Sequence, residues 1–324
     1  MTWRTAWDQA LYQSDGFYRG EWPRQHFRTS PQVSVLFAAA IVALVRRLGL
    51  DAIVDYGAGS GELLGHISSL APDLHLTGIE LRARPPTLPA PVRWLPHLRA
   101  GDAEPTTLLV ANELLDNVPC EVVELDTHGE LRLVEVEPAT GNERLGGPAS
   151  ADEVRWADEW WPTERAGQRV EVGLTRDDLW ASLCAGDYGA CIAVDYGHLR
   201  EARPDWTTMS SYRHGRMMSV ALDGRHDVTA HVAVDSVAAR VGGRLSSQRE
   251  MLRLLLDVDG RRPALELATA DPAAYVRALS QATQLAELTA IPGLGAFYWL
   301  LSARSESSAG PVQEPHADMG EWLT

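Results

Sequence analysis

Three glycines at alternate positions, Gly57, Gly59 and Gly61, end the stretch AIVDYGAGSG and run straight into Glu62, Leu63 and Leu64. A short buried strand (Ala52, Ile53, Val54), a tight glycine turn and a helix N-terminus together cradle a polar ligand, because the first N–H groups of a helix lack partners within it. The dinucleotide fingerprint needs a glycine at position 62, where this chain has Glu62. A carboxylate there would repel a pyrophosphate. The turn therefore suits a nucleoside ligand without phosphates better than NAD. Asp55, beside the turn, could receive an ammonium group or order the loop. Glu80 ends LTGIE about 20 residues beyond the glycines, the place from which an acid accepts both hydroxyls of an adenosine ribose. Alone it reads as a surface acid; with the glycine turn it becomes a ribose ligand. Gly101-Asp102 could set an acceptor near an adenine amino group, although RAGDAEP also reads as a plain loop.

A second set of polar residues follows in ANELLDNVP, 111 to 119. Asn112 and Glu113 should emerge at the end of a strand. Asp116 lies three residues beyond Glu113, so one helical turn would bring both acids to one side. The competing reading is a helix capped by Asn112, with its carboxylates in water. AVDYGH adds Asp195 and His198, and DVTAHV adds Asp227, Thr229 and His231. There Asp227 or Thr229 could simply cap a following helix, and His231 reads as structural.

These groups can meet only if their strands end at one edge. Strand-like runs at about 52–56, 75–80, 91–95 and 107–112 alternate with helical or loop segments, which predicts a parallel sheet covered by helices. IVDYG and AVDYG read as buried strands ending at the same carboxyl edge, where open α/β sheets bind ligands. A helix is predicted over 33–48, with Ser30 as N-cap and Pro31 at its first position. EVVELDTHGELRLVEVE, 121 to 137, reads as a hairpin turning at Thr127–Glu130, and a polar Gly/Pro stretch, 138 to 150, interrupts the pattern. A tryptophan-rich segment runs to about 162. GACIAVDYG (189–197), a helix at about 229–241, GRLSSQ (243–248) and the late strand AFYWLLSA (296–303) complete the sheet, the last strands returning antiparallel. Residues 304–324 read as a disordered tail.

Composition narrows the function. The net charge of −15 over 324 residues, with no basic block, makes nucleic acid a poor partner and favours a basic protein or small cation. The apolar run VSVLFAAAIVALV is closed by Arg46 and Arg47, too short for a membrane span. The start lacks the basic and apolar regions of a signal peptide. Cys120, Cys184 and Cys191 have neither metal nor disulfide spacing, so no metal is predicted and a cytoplasmic location is.

The segments DGFY, FRTSP, DYGAGSGELL, ANELLDNVP, AVDYGH, SSYRHG and GRHDVTAHV occur in the order seen in the MidA-like family. The chain resembles that family over about 14 to 303. Its members are class I methyltransferases that use S-adenosyl-L-methionine, and they include the mitochondrial complex I assembly arginine methyltransferase. The resemblance implies an α/β fold with a Rossmann-like class I methyltransferase sheet and helices on both faces. It implies an N-terminal lid and helix (1–48) and a core (49–303) with a hairpin and Trp-rich subdomain inserted at about 121–175. It further implies N-methylation of a protein arginine, with a respiratory complex I subunit as a possible partner.

Carried over by motif, Gly57, Gly59 and Gly61 would face the methionine part, Glu80 the ribose, and Asn112, Glu113 and Asp116 the transferable methyl. Thr29, Ser30 and Pro31 match the segment that closes over the site. Glu113 and Asp116 would clamp a guanidinium, and His198 would accept its proton. The segments 18–27 and 154–162 could cover the acceptor or bind a partner, or Trp156, Trp160 and Trp161 could pack a subdomain core. Leu114 and Leu115 stand where an aromatic pair is usual, LRARPPTLPAP is shorter than in relatives, Gln32 replaces a common acid, and His26 replaces an expected aspartate. These departures gather on the acceptor half. Two rivals remain: a small-molecule methyltransferase, with an enclosed apolar acceptor pocket, and a non-catalytic assembly factor, with weak or absent cofactor binding.

Overall fold

The computed structural model describes residues 1–20, 29–99, 101–256 and 263–303. The tail at 304–324 and the positions His26 and Phe27 lie outside the described residues. Seven strands build the central sheet: β1 (Ala52–Tyr56), β2 (His75–Ile79), β3 (Arg93–Leu95), β4 (Thr107–Asn112), β5 (Ala190–Asp195), β6 (Arg244–Ser247) and β7 (Tyr298–Ala303). Their spatial order is β6-β7-β5-β4-β1-β2-β3. β1 to β5 run parallel, and β7 enters antiparallel between β5 and β6. The parallel strands therefore all end at one edge, and Asn112 pairs with Val194 there.

Both faces are covered, as the continuous apolar runs of these strands require. The helices Val35–Arg47 and Glu62–Leu70 pack one face through Phe37, Ile41, Leu44, Leu64 and Ile67, all with no exposed surface. Each such side chain stabilises the fold by about 1.5–3 kcal/mol. Leu174–Cys184 and Val234–Val241 cover the other face through Trp180, Val237 and Ala238. Among the described residues no helix is long and apolar enough to cross a membrane.

Between β4 and β5 the chain leaves the sheet and builds a four-stranded antiparallel one, in the order 143–148, 131–136, 121–125, 169–172. The N-terminal helix Trp3–Tyr12 packs one face of it, Trp3 and Ala6 meeting Val122, Val134 and Val136. The helix Ala151–Trp160, opened by a Ser150–Glu153 capping box, packs the other. Trp156 and Trp161 are buried in that second core with Val123 and Val170, so they pack the subdomain.

Three local expectations are corrected. The helix predicted over 33–48 is broken at Ser34, which is extended (φ −160°, ψ 144°) and caps Val35–Arg47 by accepting from the Leu36 N–H. Ser30 instead opens a one-turn helix, Ser30–Val33, and its hydroxyl donates to Gln248. The Gly/Pro stretch contains the exposed edge strand Glu143–Pro148, a position that tolerates both residue types. The predicted helix at 229–241 starts only at Val234, and Asp227–Thr229 is a strand paired with Ser210–Tyr212, so neither Asp227 nor Thr229 caps it.

Candidate active site

At the carboxyl edge of the sheet lies a cavity of about 340 Å³, lined from one side by the glycine turn and from the other by residues 112–114 and 117–119. Gly57, Gly59 and Gly61 adopt φ of 77°, 55° and 77°, the left-handed region that only glycine enters without strain. Their roles differ. A Cβ at Gly57 or Gly61 would stand 2.8 Å from Leu114 or Leu88, whereas one at Gly59 would meet nothing within 4 Å. Two glycines thus permit close packing, and the middle one leaves open a cradle that a side chain would fill.

Glu80 ties this turn to the end of β2. Its Oε2 accepts from the Gly59 N–H (3.0 Å), and its Oε1 accepts from the backbone N–H and Nε of Arg82 (3.1 and 3.2 Å). Asp55 lines the cavity beside Glu62 and Glu80, and burial and those two charges push its carboxyl up to about 7. Asp102 does not line it. Its carboxylate accepts from the Arg99 N–H and pairs with Arg93 (2.6 Å each), so it is engaged in closing its own loop.

Asn112 and Glu113 stand at the end of β4, facing the glycine turn across the cavity. Glu113 has φ +50°, a conformation of the kind that costs a non-glycine residue about 1–3 kcal/mol and clusters at functional sites. Its backbone is held by the Val194 carbonyl, and its Oε1 accepts from the Ser30 N–H and Asn112 Nδ2 (3.2 Å each). Burial, with Asp116 nearby, pushes this carboxyl up to about 8. The Asn112 Oδ1 is buried without a partner.

Asp116 is not where one helical turn would put it. The left-handed Glu113 breaks the phase, and only a 3₁₀ turn, Leu115–Asn117, follows. Asp195 caps this turn, its Oδ2 accepting from the N–H groups of Leu115 (2.8 Å) and Asp116 (3.2 Å). Asp116 is therefore buried behind the wall, its Oδ2 accepting from the Tyr196 hydroxyl at 2.7 Å and its Oδ1 unpartnered, and it does not line the cavity with Glu113. Burial raises the carboxyls of Asp116 and, more strongly, Asp195.

His198 is also displaced from the predicted role. It does not line the cavity, and its Nδ1 is 2.7 Å from the Arg203 guanidinium. A guanidinium can only donate, which leaves Nδ1 as acceptor and the proton on Nε2. Burial and the Arg203 charge push the ring down to about 3. It is a neutral imidazole whose lone pair is already engaged. Sequence reasoning gave three wall residues, Tyr12, Arg82 and Asn117, no role, and took in Tyr18 only as the first residue of a covering segment. Tyr18 and Asn117 lie inside the quoted segments DGFY and ANELLDNVP, so the segments carried a signal that single-residue chemistry did not.

The donor set suits an S-adenosyl nucleoside: an open glycine turn, acids at Asp55 and Glu80, and an unpartnered amide oxygen at Asn112. Among the described residues no cluster of His, Cys, Asp or Glu could hold a metal ion. No curated protein matches the chain in sequence. The fold is that of the S-adenosyl-homocysteine complex of a Burkholderia thailandensis protein (TM-score 0.77, 22% identity, 95% of this chain and 89% of that one). A native structure of a protein from the same superfamily and organism gives a TM-score of 0.73 at 22% identity, over 95% and 88% of the two chains. Residues 68–249 match the family model described as "Putative S-adenosyl-L-methionine-dependent methyltransferase". That stretch exceeds half of the chain and carries Glu80, Asn112, Glu113 and the Asp195 strand end; the chain belongs to this family, and it is a methyltransferase with S-adenosyl-L-methionine as its cofactor.

Proposed function

We propose that the enzyme N-methylates an arginine on a protein partner in the cytoplasm, with a respiratory complex I subunit as the partner the MidA-like resemblance suggests. The observation that carries this reading is Glu113: a carboxyl group held in a left-handed backbone conformation and opening into the cavity across from the glycine turn. The acidic lining supports a cationic acceptor, with the carboxyl groups of Asp55, Glu62, Glu80 and Glu113 set against one guanidinium, that of Arg82.

When bound, S-adenosyl-L-methionine supplies a methyl group on a sulfonium. The protein has to hold the acceptor in line and keep water out. A guanidinium is a poor nucleophile because its lone pairs are delocalised. The Glu113 Oε2, which takes part in none of the Glu113 hydrogen bonds, can accept from two guanidinium N–H groups or from one, localising density on the attacking nitrogen. The same carboxylate takes the proton that the methylated nitrogen releases. Glu113 thus replaces both the Glu113–Asp116 clamp and the His198 base.

Incubating the purified enzyme with methyl-labelled cofactor and an extract of cells lacking its gene tests this, with methylarginine read by mass spectrometry. The expected result is label in methylarginine of a complex I subunit; label confined to small molecules would favour the small-molecule rival. On the cofactor side, Glu80→Ala is expected to weaken S-adenosylhomocysteine by roughly 1.5–3 kcal/mol, the range for charge-assisted hydrogen bonds. Calorimetric titration checks it, and an unchanged dissociation constant in a folded variant would return Glu80 to a role in loop packing alone.

A further inference from the structure

Tyr12, Tyr18 and Asn117 line the same cavity as Glu113, and none of them has a part in the chemistry above. The two tyrosine rings stack at 5.5 Å, and the Tyr12 hydroxyl donates to the Asn117 carbonyl at 3.2 Å. The Tyr18 hydroxyl and Asn117 Nδ2 both donate to one oxygen, Oδ1 of Asp227, at 3.0 Å each. Asp227 has no exposed surface, and its Oδ2 is buried without a partner. The N-terminal segment and the turn after β4 are therefore pinned together by the Tyr12 hydroxyl and by a carboxyl group that arrives from a third, distant strand.

A buried carboxyl with one idle oxygen is a costly way to join two loops, since an amide or hydroxyl would satisfy the same donors at less desolvation. The group stands directly behind two cavity-lining side chains, Tyr18 and Asn117. We propose that Asp227 is a positioning residue for the methyl acceptor, which fixes Tyr18 and Asn117 as the wall the acceptor lies against. This rests on the proposed function, in which the cavity that Glu113 lines also takes the acceptor. The wall meets the cofactor side through Arg82, whose guanidinium lies 5.4 Å over the Tyr18 ring and pairs with Glu80, so Asp227 is the cleaner site for the test.

Three full-length proteins are compared: the parent, Asp227→Ala and Asp227→Asn. Each is titrated with S-adenosylhomocysteine and given methyl-labelled cofactor with increasing extract of cells lacking the gene, separated into macromolecular and low-mass fractions. Asp227→Ala is expected to keep the nucleoside affinity within about twofold while the extract needed for half-saturation rises about tenfold. Asp227→Asn keeps an oxygen for both donors and is expected to recover most of that loss. If Asp227→Ala fails to fold, Tyr18→Phe, which deletes one of the two donors, carries the same comparison. Parent-like half-saturation in the alanine variant, or nucleoside binding that falls in step with transfer, overturns the role of Asp227. Label entering only the low-mass fraction overturns the protein acceptor and leaves the Asp227 comparison to be read there. Binding of the nucleoside without label in either fraction overturns both.

Discussion

Glu113→Gln is expected to bind S-adenosylhomocysteine as the parent does and to transfer methyl groups about 10²–10⁴-fold more slowly, the span for loss of a positioned acid–base group. The direction follows from the hydrogen bonds around it. The Ser30 N–H and Asn112 Nδ2 both donate to Oε1, so a glutamine must place its oxygen there. Its NH₂ is then forced to the position of Oε2, where it donates toward an acceptor that itself carries N–H donors. Cofactor binding should survive, because the glycine turn, Asp55 and Glu80 are untouched. Label transfer and nucleoside titration on one preparation decide it: full transfer by the glutamine variant would remove Glu113 from the chemistry.

The same residue predicts a pH dependence. Burial and Asp116 move the Glu113 carboxyl from 4.5 up to about 8, so the free enzyme holds it mostly protonated at neutral pH. Clamp and base both need the carboxylate. The rate at low acceptor concentration should therefore rise with pH through about 8, and Glu113→Gln should flatten that limb. Stability runs the other way. A raised acid contributes stability that is fully present below 4.5 and is lost as pH rises through 8, where the folded protein must ionise a buried group. At pH 9 Glu113→Gln is thus expected to melt above the parent, and a lower melting temperature there would show that the carboxylate is not destabilising.

What could be read from the residues, and what could not, separates along physical lines. The strands and the glycine turn were legible because a buried strand, alternate glycines and a helix start are local patterns. The relation of Glu113 to Asp116 was not, because it hangs on one left-handed residue that shifts every later side chain. Helical spacing assumes unbroken phase, and nothing in ANELLDNVP announces the break. His198 was misread for a related reason: its tautomer is set by Arg203, five residues on, through a contact made by the fold of the loop. The wall of Tyr18, Asn117 and Asp227 joins residues 209 and 110 positions apart, a separation at which composition and period carry no information. Ser34 shows the opposite case, where a correct element was given the wrong cap because two serines four residues apart were both suited to it.

Gly59→Val is expected to abolish nucleoside binding while leaving the fold standing, a loss of affinity of about a hundredfold or more for a side chain placed in the ligand's space. The contrast with its neighbours makes the prediction specific. A Cβ at Gly59 meets no protein atom within 4 Å, so packing does not resist it and the open cradle is filled instead. Its φ of +55° adds strain for an L-residue, about 1–2 kcal/mol, or a few degrees of melting temperature. At Gly57 and Gly61 the same change drives a Cβ to 2.8 Å from Leu114 and Leu88, so valine there must move core side chains and should destabilise more. Melting curves and S-adenosylhomocysteine titrations of the three variants separate the two effects. If Gly59→Val binds the nucleoside as tightly as the parent, the glycine turn is not the cradle, and the cofactor must lie elsewhere along the edge of the sheet. If it unfolds as readily as the other two, the space at Gly59 belongs to the protein's own packing rather than to a ligand.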